Sequence, residues 1–178
     1  MNMTSLQKLS YGVYVICSKY NGRINGQIAN AVFQITSEPP AIAISINKEN
    51  CTHEFIKYSK SFSISILSED TPMKFIGTFG FKCGWDIDKF ENINFVKGKT
   101  GSPIIIDHSI AFIEGNLINS VDVGTHTIFI GAVVNGDILS NKSPMTYEYY
   151  HNIKGGLSPK TAPTYIKKQK KNETKRRM

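Results

Sequence analysis

Two stretches of this 178-residue chain leave little choice of backbone. "AIAISIN" (41–47) and "SFSISIL" (61–67) alternate residue by residue. In the first, Ile42, Ile44 and Ile46 fall on one side, and Ala41, Ala43 and Ser45 on the other. In the second, Phe62, Ile64 and Ile66 oppose Ser61, Ser63 and Ser65. A period of two belongs to an extended strand, whose successive side chains point to opposite faces. Each segment is therefore a strand with one apolar face for a core and one small face that a ligand or another surface can approach closely.

The neighbouring sequence supplies partners. "YGVYVICS", Tyr11 to Ser18, reads as a first strand, and Asn21-Gly22 behind it favours the positive φ of a tight hairpin turn. "INGQIANAVFQITS" (24–37) then reads as one returning strand, followed by a corner at Pro39-Pro40. "THEFIKYSK" predicts about two helical turns, with Asn50 or Thr52 as the N-cap. A second helix is predicted from Thr71 as cap and Pro72 at the first helical position. "GFKCGWDIDKF" (80–90) reads as a long loop, and strands resume in "SPIIID", "IAFIEGNLINSV" and "TIFIGAVVNGDIL". "KSPMTYEYYHN" suggests one more short helix, and no internal repeat is visible. About five to seven strands with two or three short helices predict a mainly β fold, an antiparallel closed or partly closed barrel with helical caps.

At 178 residues one domain is expected. It is assigned to residues 1–150, with an extended arm over 151–166 and a basic tail over 167–178 that is expected to be disordered. No apolar run approaches the ~18 residues of a membrane span. The N-terminal "MNMTSLQKLSYG" lacks the apolar centre of a secretory signal, so a cytoplasmic location is expected. Cys17, Cys51 and Cys83 are odd in number and lack a CxxC spacing, which argues for reduced thiols over a disulfide framework or a metal site. The net charge of +7 divides unevenly: residues 1–150 carry 12 basic against 13 acidic side chains, and 151–178 carry 9 against 1. The body is thus nearly neutral, which counts against a nucleic-acid surface, and no such partner is expected.

Phosphate-loop, dinucleotide-fold, zinc-protease and nucleophile-elbow motifs are all absent. The polar run "NKENCTH" (47–53), placed where a strand hands over to a helix, is either an ordinary exposed loop or the seat of an anion. A helix start offers unpaired N–H groups and the positive end of its dipole.

Taken together, "NGQIANAVFQITSEPPAIAISINKENCTHEFI", "FIGTFGFKCGWDIDKF", "VDVGTHTIFIGAVV" and "PMTYEYYHNIKGGLSPKTAPTY" resemble the flavin reductase-like family of FMN-binding split barrels, in the family's order and nearly to Tyr165. Within it, the chain is similar to flavoprotein modules that carry an appended rubredoxin domain, for which this sequence has no cysteine pairs. The resemblance implies a homodimer in which each subunit holds FMN at the interface and takes hydride from NADH or NADPH onto flavin N5. It assigns Asn47, Lys48, Asn50, Cys51 (by its backbone) and Thr52 to the FMN phosphate. Gln27, Ala29, Asn30 and Ala31 are assigned to the ring's pyrimidine and N5 edge, and Gln34 and Thr36 toward the ribityl chain. His126 in "GTHT" is the candidate catalytic residue beside flavin or nicotinamide, the alternative being a buried, satisfied histidine.

Two positions depart from the family pattern. Cys83 stands where Ser is usual, either as a redox-sensitive thiol near the cofactor or as a passive replacement. Trp85 stands where a polar residue is common, and either stacks on nicotinamide or packs at the dimer contact. The implied activity is NAD(P)H:flavin oxidoreduction, with electrons passing to free flavin or to a redox protein such as rubredoxin or a flavodiiron protein. The rival is a non-enzymatic FMN electron carrier reduced by protein partners.

Overall fold

The computed structural model describes residues 3–165. After a 3₁₀ turn (Met3–Lys8) come β1 (Tyr14–Tyr20), β2 (Arg23–Ala29), β3 (Val32–Ser37), β4 (Pro40–Asn47), α1 (Cys51–Ser59), β5 (Ser61–Leu67) and α2 (Met73–Phe81). The chain continues through β6 (Phe95–Lys97), β7 (Pro103–Ile105), β8 (Ser109–Val123), β9 (His126–Ile138) and α3 (Tyr147–Asn152). Seven strands form one antiparallel sheet in the order β2-β1-β5-β8-β9-β4-β3, and β6 and β7 make a separate hairpin. The fold is mainly β. Among the described residues no helix is long and apolar enough to cross a membrane.

The β1–β2 hairpin turns at Asn21 and Gly22, with φ of 47° and 74°, as that dipeptide predicts. The single strand expected over 24–37 is instead two strands at opposite ends of the sheet. The ladder on β1 stops at Ala29, and the Asn30 carbonyl accepts from Val32 N–H (3.0 Å). The Ala31 carbonyl accepts from Ser45 N–H (3.0 Å), which starts the β3–β4 pairing. A two-residue link between the outermost strands curls the sheet back on itself, and the corner it makes becomes one wall of the site described below.

Both alternating strands form, and their apolar faces enter the core except at Ile66, which is half-buried at the end of β5. Ile42, Ile44 and Ile46 join Ile16, Ile56, Phe62, Ile64 and Phe129 in one apolar cluster. Residues of the other face of β1, Val15 and Cys17, enter a second cluster with Phe75, Ile76, Phe79, Phe90 and Ile105. The small face of β5 receives the hairpin: Ser63 Oγ donates to the Pro103 carbonyl, and Ser65 Oγ donates to the Ile105 carbonyl (3.2 Å) while accepting from Ile105 N–H (3.1 Å). Serine hydroxyls there do the work of a strand ladder, satisfying backbone groups that burial would otherwise orphan.

The start of α2 differs from expectation, whereas that of α1 falls on Asn50, one of the two caps expected. Pro72 occupies the cap position of α2, one residue later than predicted, because the Thr71 hydroxyl turns back to the Ser68 carbonyl (2.7 Å). Asn50 occupies the cap position of α1 without a capping side-chain bond, and Thr52 lies buried inside the helix. α2 extends through Gly80 and Phe81, so the predicted loop begins at Lys82. The short β6 was not expected at all. The predicted tail over 167–178 lies outside the described residues.

Candidate functional site

The strand link at Asn30 and the start of α1 face each other across a cleft of about 600 Å³. Gln27, Ala29 and Asn30 come from β2 and its link, Asn47 from the end of β4, and Asn50, Cys51 and Thr52 from the helix start. Cys83 and Lys89 enter from the loop after α2, and His126 from the start of β9, where it pairs with Asn47. A buried hydrogen bond from Asn25 Nδ2 to Thr52 Oγ1 (2.8 Å) fixes β2 to the first turn of α1. Gly84 sits against the same Asn25: a Cβ there would come within 2.0 Å of Asn25 Oδ1, so only glycine lets the loop approach this closely.

Three lysines (Lys82, Lys89, Lys160) and one carboxylate (Glu49) line the cleft, a balance that favours an anion. Lys89 is the unusual one. It is 5% exposed, and its ammonium donates to the Gly26 (3.0 Å) and Phe79 (3.4 Å) carbonyls. Burial pushes its pKa below the usual lysine range. The Cys51 thiol is pushed up to about 11, chiefly by burial and next by the nearby Cys83, so it is protonated at neutral pH. That leaves the helix start its backbone N–H groups, which carry no side-chain cap.

His126 Nε2 lies 3.2 Å from the Thr161 carbonyl and Nδ1 lies 2.9 Å from Thr125 Oγ1. A carbonyl only accepts, so the proton belongs on Nε2 and Nδ1 accepts from the threonine hydroxyl. Asn47 Oδ1 accepts from Glu49 N–H (2.9 Å), shaping the polar turn, while its Nδ2 donates to the Thr161 carbonyl (3.3 Å). Gln27 is 9% exposed, and its Oε1 has no hydrogen-bond partner. A buried amide oxygen left unpaired costs about 1–3 kcal/mol, so its presence beside a cleft points to a donor brought by a ligand.

Five predicted residues fall outside the lining. Ala31 contributes its carbonyl to β4, as noted above. Gln34 and Thr36 are exposed on the edge strand β3, where the Gln34 amide reaches only the Thr36 carbonyl (3.3 Å). Lys48 turns to Asp122 (3.2 Å), both partly solvated. Trp85 is 46% exposed, set edge-on to Phe55 with the Arg23 guanidinium 4.8 Å from its ring centre. Sequence reasoning missed Asn25 and Lys89, and it expected the arm to pack on the domain or the partner subunit without assigning it to the cleft that it lines. A lone asparagine amid buried strand positions was the available signal for Asn25; a lysine in a loop gives none, because its burial is decided by tertiary contacts.

The flavin reductase like domain matches residues 6–156. The chain belongs to the flavin reductase-like family. It is 49% identical over 174 residues to the high molecular weight rubredoxin of Moorella thermoacetica, covering 98% of this chain and 76% of that protein. It is 45% identical over 166 residues to the NAD(P)H ferric-chelate reductase of Archaeoglobus fulgidus, covering 93% and 98%. Among solved structures, flavin reductase HpaC complexed with NADP+ superposes with a TM-score of 0.70 at 25% identity, over 81% of this chain and 89% of that one. This family member is therefore a flavoprotein oxidoreductase.

Proposed function

We propose that the chain is an FMN-dependent NAD(P)H oxidoreductase that acts as a homodimer. The observation that carries the reading is the pairing, on one cleft, of the unpartnered Gln27 Oε1 with the uncapped start of α1. The residues fit the group. A flavin's pyrimidine edge carries an N–H between two carbonyls, which a primary amide can match as acceptor and donor. A phosphate monoester suits open N–H groups at a nine-residue helix start. The cleft volume falls in the ordinary small-ligand range of about 300–1,000 Å³.

Asn47, Asn50 and the backbone of Cys51 and Thr52 would hold the phosphate, with Asn25 keeping that turn in place. Gln27 and Asn30 would meet the ring edge, with Ala29 permitting close approach. Once bound, the flavin supplies the hydride chemistry between nicotinamide and acceptor, which is the cofactor's own. Lys89 keeps a positive charge beneath the cleft, and His126 offers a fixed tautomer at its rim. For the second subunit, exposed Phe33 and Ile35 on β3 and Ile118, Val121 and Val123 on β8 supply apolar surface. The acceptor is free flavin, a ferric chelate or a redox protein of the rubredoxin kind; the names of the relatives support this range.

Purified protein is titrated with FMN and then, anaerobically, with NADH and NADPH. Saturable uptake of about one FMN per chain and bleaching of the flavin bands by either nucleotide are expected. Protein that takes up no FMN at micromolar concentration ends the reading. Uptake without bleaching by either nucleotide transfers the chain to the carrier class, reduced by protein partners.

A further inference from the structure

The matched family domain ends at residue 156, yet the cleft does not. Residues of the following segment, 157–165, form part of its lining. Their attachment begins at α3. Tyr150 Oη donates to the Leu157 carbonyl (2.9 Å) and accepts from Leu157 N–H (3.2 Å), and His151 Nδ1 reaches the Gly156 carbonyl (2.7 Å). Gly156 lies flat on the Tyr150 ring, where a Cβ would come within 2.2 Å of it. Tyr147 Oη contacts the hydroxyls of Ser158 and, at 2.7 Å, Thr164.

From that root the segment reaches three cleft residues on three separate elements. Thr164 Oγ1 accepts from Asn30 Nδ2 (3.1 Å), and the Thr161 carbonyl accepts from both Asn47 Nδ2 (3.3 Å) and His126 Nε2 (3.2 Å). Pro159 and Pro163 flank this tip, limiting what the chain loses on ordering. About 600 Å³ stays open behind it, so the segment walls the cavity instead of filling it.

We propose that residues 157–165 are a strap that retains the flavin. On this inference, which rests on the flavin reading above, the cofactor stays with the protein through turnover. The acceptor must then come to the protein and be reduced there, instead of meeting reduced flavin that has diffused away. The substrate class that follows is an external electron acceptor, with free flavin a poor one.

The test uses the full chain loaded with FMN, freed of excess by gel filtration and diluted into flavin-free buffer, with release read from flavin fluorescence. Thr164→Val removes the hydroxyl shared by Asn30 and Tyr147. Pro159→Gly/Pro163→Gly keeps the side-chain bonds and raises only the freedom of the segment. Release about fivefold faster is expected in each, the factor that roughly 1 kcal/mol produces, from a lost hydrogen bond in the first variant and from the added chain freedom in the second. Rates equal to wild type in both variants, or slower in either, overturn the strap, the second because the segment then competes with flavin. Hydrogen exchange on the wild-type chain gives an answer free of folding defects in the variants: protection of 157–165 must rise with FMN, and a fall means that flavin expels the segment. A wild-type chain that binds no FMN removes the flavin reading and the strap together, whereas normal binding with unchanged release removes the strap alone.

Discussion

Cys17 on β1 has no exposed surface, and its sulfur packs so near Gly26 that a Cβ there would come within 2.8 Å. Burial raises its thiol pKa well above the ordinary value, outweighing the lowering by the Lys89 charge and a Ser63 hydrogen bond. A raised pKa in the folded state means that stability is complete below the unfolded thiol value, about 8.5, and is lost as pH climbs beyond it. Lys89 works in the opposite sense: its depressed pKa makes the cost of burying its charge largest at low pH and relieves it as pH rises. Only a comparison of two chains separates them. Cys17→Ala, under reductant, should lower urea-unfolding stability at pH 7 by about 1 kcal/mol yet flatten the decline above pH 9; parallel curves for the two chains would show that the thiol is not the titrating group. The pair also marks the limit of reading single residues. The sequence suggests Lys48 as the charge beside the anion because it stands in the polar turn, but Lys48 pairs with Asp122 and the buried cation is Lys89, far along the chain. Which lysine is buried depends on how a loop folds over β2 and α2, and no local pattern encodes that.

Strands, by contrast, were largely legible, because the period of two survives whatever lies on either side. The small face of β5 was readable as a docking face but not its occupant, since β6 and β7 are three residues each and carry no alternation long enough to recognise. Ser65 joins the two elements with two hydrogen bonds to Ile105, on a residue with no exposed surface. Replacing it by alanine strands a buried N–H and a carbonyl at once. Ser65→Ala should cost about 2–4 kcal/mol in urea unfolding, the sum of two orphaned groups less what relaxation recovers. A loss under ~0.5 kcal/mol would mean that the hairpin re-pairs with water and that β5 does not hold it. The break at Asn30 was illegible for a different reason. "NGQIANAVFQITS" is good strand sequence throughout, and the interruption is imposed by competition between two sheet edges, β1 and β4, for the same run. That tertiary decision also makes the site, because the link it leaves places Asn30 on the cleft.

At the scale of the molecule, the nearly neutral body and an apolar outer face argue for a partner of like composition. Phe33 is 59% exposed on β3, and Ile118 (61%), Val121 and Val123 project from the far half of β8. β9 and β4 lie between those two strands in the sheet, so the three residues on β8 are the candidate association surface of the proposed homodimer. In the homodimer proposed above, a twofold axis would use the same surface on both subunits. Charges placed there should oppose association without touching either core cluster, since neither Ile118 nor Val121 belongs to them. The double variant Ile118→Glu/Val121→Glu should therefore elute at half the wild-type mass in light scattering while keeping its circular dichroism and urea midpoint. If the flavin lies at the subunit contact, as the resemblance implies, its FMN affinity falls by tenfold or more at concentrations where wild type is dimeric. A wild-type chain that is already monomeric at tens of micromolar removes the dimer. A monomeric variant that binds FMN as tightly as wild type keeps the dimer but confines the site to one subunit, where the strap from residues 157–165 would be its sole cover.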